Sequence, residues 1–76
     1  MKAIVLIKAR TGEVKETAHF IRKLRSVREA YVTFGPFDII TIIETDRLAD
    51  IGEIVACEIQ PIPGVEQTLT CLAVDN

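Results

Sequence analysis

Few residues in this sequence can do chemistry, and their spacing narrows what they could do. The single histidine, His19, has no cysteine or second histidine near it, whereas a working general base needs an oriented partner. It reads as a partly exposed helix residue. No serine lies in a G-x-S-x-G turn, and the glycine patterns that cradle phosphates or dinucleotides are absent. Asp38, Glu44, Asp46 and Asp50 form an acidic cluster along the chain, but Asp46 and Asp50 are explained by the preference of helix starts for negative charge. Two features survive this sifting. One is the segment Gly35-Pro36-Phe37-Asp38, and the other is the pair Thr68 and Thr70, whose spacing puts both hydroxyls on one face of a strand.

The elements that must position these residues follow from hydrophobic periodicity. Lys2 to Lys8 is a short, β-branched apolar run that stops at Ala9-Arg10-Thr11-Gly12, and it predicts a first strand. From Glu13 to Arg25 the period becomes helical, with Val14, Thr17, Ala18, Ile21 and Leu24 on one stripe and Phe20 at its edge. Val27 to Phe34 and Ile39 to Thr45 are rich in β-formers. The four residues between them predict a hairpin loop, in which Pro36 fixes its own φ and Gly35 permits angles that other residues resist. A second helix is expected from Asp46 to about Gln60, with Leu48, Ile51, Val55 and Ile59 on its buried face, because Pro61 and Pro63 end it. Gly52 inside that helix costs about 1 kcal/mol relative to Ala, and close packing on a sheet is the expected reason for it. Val65 to Val74 predicts the last strand.

The order is βαββαβ, and its halves echo each other at an offset of 38 residues: Ile4 on Ile42, Val5 on Ile43, Ala18 on Ala56, Ile21 on Ile59, Leu24 on Ile62, Val27 on Val65 and Tyr31 on Leu69. Such a duplication predicts an α+β, ferredoxin-like sandwich: a four-stranded antiparallel sheet with both helices on one face. The strands lack the alternation of a sheet with one wet face. Ile4 to Ile7 is apolar on both faces, as are Ile39, Ile40, Ile42 and Ile43 around Thr41. The second face therefore predicts an interface, with two copies stacked sheet to sheet.

Length and charge agree. A chain of 76 residues buries only about 60% of its unfolded surface, so a dimer would supply missing core. Nine Lys and Arg against eleven Asp and Glu give a net charge of −2, which argues against the basic surface that DNA binding uses. No run has the length of a membrane span or the cleavage site of a signal peptide. Cys57 and Cys71 make neither a disulfide framework nor a zinc site and read as small buried hydrophobes, so a reducing, cytoplasmic location is expected.

Gly-x-Phe-Asp at Gly35 to Asp38, then an aliphatic strand, a helix, Pro63-Gly64-Val65 and the strand with Thr68 and Thr70 resemble the amino-acid-sensing (RAM) domain of the leucine-responsive/AsnC regulators. The likeness spans Ile4 to Val74. The resemblance implies dimers with facing sheets, association into octamers or decamers, and small effectors held between dimers. It maps the effector loop onto Gly35, Phe37 and Asp38 and the paired hydroxyls onto Thr68 and Thr70. A free amino acid needs donors for its carboxylate and acceptors for its ammonium; loop amides can donate, and Asp38 and the threonines can accept. Phe37 would wall the side-chain pocket. The plainer readings stay open beside this one: Asp38 as acceptor for amides of its own turn, Gly35 as a φ requirement, the threonines as ordinary β-formers.

Full-length members of that family carry a helix-turn-helix domain, whereas this sequence enters the first strand directly after Met1. Taken as a native start, Met1 implies a stand-alone sensor that does not touch DNA, requires no cofactor or metal, and either self-assembles or joins full-length regulators in mixed oligomers. The competing expectation is a small dimeric enzyme of the monooxygenase or isomerase kind on the same topology, with His19 or Tyr31 as acid or base. A copper chaperone is excluded because Ala9-Arg10-Thr11-Gly12 lacks the cysteine pair of its metal loop.

Overall fold

The computed structural model describes residues 1–75. Strands β1 (Lys2–Ala9), β2 (Val27–Val32), β3 (Ile39–Glu44) and β4 (Val65–Ala73) and helices α1 (Val14–Arg22) and α2 (Leu48–Ile54) follow the order expected from the sequence. The sheet runs β2-β3-β1-β4 with every neighbouring pair antiparallel. β3 and β1 lie inside, and β2 and β4 form the two edges.

One face of this sheet and one stripe of each helix enclose the core. Ala3, Val5, Ile7 and Ala9 of β1 and Ile39 and Ile43 of β3 meet Ala18 and Ile21 of α1, Ile51 and Ile54 of α2, and Val55 just beyond it. Ile21 and Ile59, equivalent in the two halves, are both fully buried, so the internal duplication is a packing symmetry as well as a sequence one. Thr41 sits among them with its hydroxyl buried and without a hydrogen-bond partner.

The helix ends depart from expectation. α1 stops at Arg22 rather than Arg25, and the chain tightens there through bonds from Lys23 N–H to Phe20 and Leu24 N–H to Ile21. α2 starts at Leu48 rather than Asp46, because Arg47 is extended (φ −134°, ψ 144°) and the Thr45 hydroxyl donates to its carbonyl. The helix then widens into a π turn over Val55–Ile59, closed by Gln60 N–H to the Val55 carbonyl at 2.9 Å. Ile54, Val55 and Ile59 are all buried, whereas Leu48, in the first turn of the helix and expected on the buried face, is 54% exposed.

Three further expectations are corrected. Gly52 does not pack closely on the sheet: it is exposed, and a Cβ added there would meet nothing within 4 Å. Cys57 and Cys71 are exposed free thiols rather than buried ones. The hairpin loop is shifted by one residue, because Thr33 N–H donates to the Asp38 carbonyl at 2.9 Å and makes Asp38 the foot of the ladder. The glycine that close packing does require is Gly64. Its φ is +96°, and a Cβ there would collide with Thr17 Oγ1.

Candidate functional site

β1 places Ile4 and Leu6 on the sheet face opposite the helices. The register sets Ile40 and Ile42 of β3 and Leu69 and Cys71 of β4 beside them on that same face. Tyr31 of β2, paired with Ile40, extends the face to the other edge. Tyr31 and Leu69, equivalent in the internal repeat, are each 50% exposed. The two-sided apolar pattern of the strands is thus realised as one continuous, helix-free apolar surface.

The hairpin loop stands at one end of this sheet and is tied to β1. Asp38 Oδ2 accepts the Ala9 N–H at 2.8 Å, and Asp38 N–H donates to the Ile7 carbonyl at 2.9 Å. Lys8 Nζ donates to the Pro36 carbonyl at 3.2 Å, and the Thr33 hydroxyl to the Phe37 carbonyl at 2.9 Å. Gly35 adopts φ +146°, which only glycine accepts readily. Sequence reading placed the loop but missed Lys8 and Ala9 as its anchors; the one signal for them is that Lys8 interrupts an apolar run at the strand's end. The bond from Ala9 realises the plainer reading of Asp38 in part, since one carboxylate oxygen serves the backbone, though of β1 rather than of its own turn.

Thr68 and Thr70 share a face as their spacing predicts, and it is the helix-side face, opposite Ile7 and Val5 in register. Thr68 Oγ1 accepts from Gln60 Nε2 at 3.0 Å. Thr70 lines a groove of about 480 Å³ between α2 and β4, together with Leu48, Gly52, Val55, Ala56 and Leu72. None of the loop residues lines that groove. Within one chain β1 separates the loop from the threonines by two strand spacings, about 10 Å. The two sets do not converge within one chain.

The acid and base candidates do not converge either. His19 is exposed on α1 beside Phe20, with ring centroids 6.0 Å apart. Tyr31 lies on the open sheet face, where its hydroxyl donates to Glu29; that bond and the Glu29 charge raise its pKa above the ordinary tyrosine value. Among the described residues no group of three or more His, Cys, Asp or Glu side chains is placed to hold a metal ion. Among the described residues no helix is long and apolar enough to cross a membrane.

The chain is 33% identical over 72 residues to the HTH-type transcriptional regulator FL11 of Pyrococcus abyssi, covering 95% of this chain and 47% of that protein. It therefore spans about half the length of the curated relatives it matches, which are transcriptional regulators rather than enzymes. Its fold superposes on the crystal structure of TTHA0845 from Thermus thermophilus with a TM-score of 0.92 and 31% identity, over 99% of this chain and 94% of that one. At the level of fold alone, it also matches a transcriptional regulator of Neisseria meningitidis solved as its L-Met complex, with a TM-score of 0.86 and 16% identity over 97% of this chain and 49% of that one. The family model for the Lrp/AsnC ligand binding domain matches residues 2–76, and the chain belongs to that family.

Proposed function

We propose that this chain is an oligomeric amino-acid-sensing module acting in the cytoplasm, without DNA contact of its own. Two copies stack their open sheet faces through Ile4, Leu6, Ile40, Ile42 and Leu69. These dimers associate further, and a free amino acid binds between them. The loop of one dimer supplies Gly35, Phe37 and Asp38, and the neighbouring dimer supplies Thr68 and Thr70. Through the same interfaces the module joins full-length regulators of its family and biases their assembly.

The observation that carries this reading is membership of the ligand-binding family over nearly the whole chain. Geometry supports the shared site. The loop and the threonines stand on either side of β1 and share no groove within one chain, and a site shared between copies would bring them onto one ligand. The L-Met complex of the Neisseria regulator supports the ligand class. A ligand held between dimers shifts their association, because it binds the assembled state and not the separated one.

Light scattering coupled to size exclusion, with calorimetric titration of the common amino acids, tests the proposal. The expected result is a mass of a dimer or larger, a binding heat for at least one amino acid, and a change of mass in its presence. A monomer at all concentrations, or no heat with any amino acid, overturns it.

A further inference from the structure

Every carbonyl of the hairpin loop from Pro36 to Asp38 is held by a donor of a neighbouring segment. Lys8 Nζ donates to the Pro36 carbonyl at 3.2 Å, the Thr33 hydroxyl to the Phe37 carbonyl at 2.9 Å, and the Thr33 N–H to the Asp38 carbonyl at 2.9 Å. The amides over the same stretch divide differently. Pro36 has no N–H, and Asp38 N–H is spent on the Ile7 carbonyl. Among the described residues, the N–H of half-buried Phe37 bonds to no protein acceptor. From Pro36 onward the loop therefore has its acceptors tied and one donor left, a polarity that suits an anion.

The direction of that donor is set from β1. Among the described residues no peptide bond is cis, and a planar trans peptide points its C=O and its N–H to opposite sides. The bond from Lys8 fixes the Pro36 carbonyl, so it also turns the Phe37 N–H, at the other end of the same peptide, away from the Lys8 ammonium. The next peptide obeys the same rule: its carbonyl, on Phe37, faces Thr33 at the end of β2, and its N–H, on Asp38, faces Ile7 of β1. A positive charge on the Pro36 carbonyl also polarises the peptide and makes the Phe37 N–H a stronger donor.

Lys8 has no other duty that explains it. The register puts it on the helix-free sheet face, at the end of the row of Ile4 and Leu6 and opposite Gln67. It is exposed, and among the described residues it forms no ion pair. A long cationic side chain that ends an apolar strand is thus committed to one loop carbonyl.

We propose that Lys8 is a positioning residue for ligand binding, which aims and polarises the Phe37 N–H at the α-carboxylate of a free amino acid. This inference rests on the sensing function proposed above and adds to it which loop amide receives the ligand and what sets that amide. Lys8 acts through the peptide and does not touch the carboxylate on Phe37, because its ammonium stands on the other side of the peptide plane's C=O to N–H axis. Asp38 N–H takes no part, since Ile7 holds it. Asp38 keeps its second carboxylate oxygen for the ammonium of the ligand, so adjacent residues receive the two charged ends of one amino acid.

Calorimetric titration of each common amino acid and its α-carboxamide into wild-type, Lys8→Met and Lys8→Arg protein tests the inference. The carboxamide keeps the side chain and the ammonium and lacks the anion. Wild-type protein is expected to bind the acid at least about tenfold more tightly than the amide. Lys8→Met keeps an unbranched stem and removes the donor; it weakens the acid by about tenfold and the amide by less than about twofold, with the circular dichroism spectrum retained. Lys8→Arg keeps a charged donor within reach of Pro36 and restores the preference for the acid. A readout without ligand stands beside these: the NMR shifts of the Pro36 carbonyl carbon and the Phe37 amide, two ends of one peptide, move in Lys8→Met while the Asp38 amide stays in place. Unchanged acid affinity in Lys8→Met overturns the proposal. So does an equal loss for acid and amide, which is the mark of general loosening of the loop, or a Pro36 carbonyl shift that ignores the substitution. No heat from wild-type protein with any amino acid overturns the sensing function and this inference together, whereas wild-type binding without an acid-specific loss in Lys8→Met overturns this inference alone.

Discussion

Asp38 has two separable duties, and one substitution series resolves them. Its Oδ2 accepts the Ala9 N–H at 2.8 Å, at the point where the β1–β4 register shifts between Lys8 and Ala9. The bond therefore pins both the foot of the hairpin loop and the irregular end of β1. A hydrogen bond to a charged group is worth about 1.5–3 kcal/mol, and partial exposure of this one places it near the lower figure. Asp38→Ala removes the acceptor and leaves the Ala9 N–H to find water, so the expected loss of stability is about 1–2 kcal/mol. In a domain this small that is a fall in melting temperature of roughly 4–15 °C. Asp38→Asn keeps an acceptor oxygen in the same place and removes the charge, with an expected loss of about 0.5–1 kcal/mol. If Asp38 also receives the ammonium of an amino acid, Asn weakens binding far more than its stability change accounts for, by about tenfold or more. Urea denaturation at fixed protein concentration gives the first quantity and calorimetric titration the second. Equal stability of Asp38→Ala and wild type refutes the tether, and unchanged affinity in a folded Asp38→Asn refutes the ligand role.

Thr41→Val exchanges a buried, unpartnered hydroxyl for a methyl group and is expected to stabilise the fold by about 1–2 kcal/mol, read from the urea midpoint at unchanged m-value. The two glycines Gly52 and Gly64 move in opposite directions. Gly52→Ala, in a helix with open space around it, gains about 0.5–1 kcal/mol in dilute protein, whereas Gly64→Ala forces a positive φ and a contact with Thr17 and loses at least about 1–2 kcal/mol. Ultraviolet titration of Tyr31 gives a midpoint above that of a free tyrosine, and Glu29→Gln lowers it. Because the folded pKa is the raised one, the Tyr31–Glu29 interaction is present below the unfolded value of 10.0 and is lost as pH rises through the folded value.

What the sequence made legible, and what it did not, divides along the reach of the interactions. Element order, sheet topology and the apolar second face follow from periods of two and of about three and a half residues, which depend on each residue's own side chain and near neighbours. The end of α2 does not. Leu48, Ile51, Val55 and Ile59 fit an ordinary helical stripe, and Ile51, Val55 and Ile59 are buried as it predicts, but the stripe signals neither the π turn over Val55–Ile59 nor the exposure of Leu48 in the first helical turn. Gly52 and the two cysteines depart from expectation for a related reason. Apolar company in sequence predicts burial only where a layer lies on top: α2 stands off β4 beside Gly52, Cys57 is exposed on the helix segment, and Cys71 lies on the helix-free sheet face. The anchors of the hairpin loop, Lys8 and Ala9, lie 28 and 29 residues from the groups they bind, beyond the range of any local pattern.

The internal repeat accounts for the remaining asymmetry. Two equivalent βαβ units would produce two equivalent edges, each closed by a helix and a clamp on the central carbonyl. One unit keeps Arg22 on Ala30, and the other has Gln60 on the Thr68 hydroxyl. A five-donor guanidinium can reach past its own helix to a backbone oxygen and hold it with two bonds, while a primary amide that finds a nearer hydroxyl does not. Two changes at equivalent positions, Arg22 to Gln60 and Ala30 to Thr68, thus leave the β4 carbonyl unclamped beside a groove that the equivalent helix closes elsewhere. Thr68 and Thr70, which the family resemblance assigns to a ligand through their hydroxyls, both lie on that edge strand.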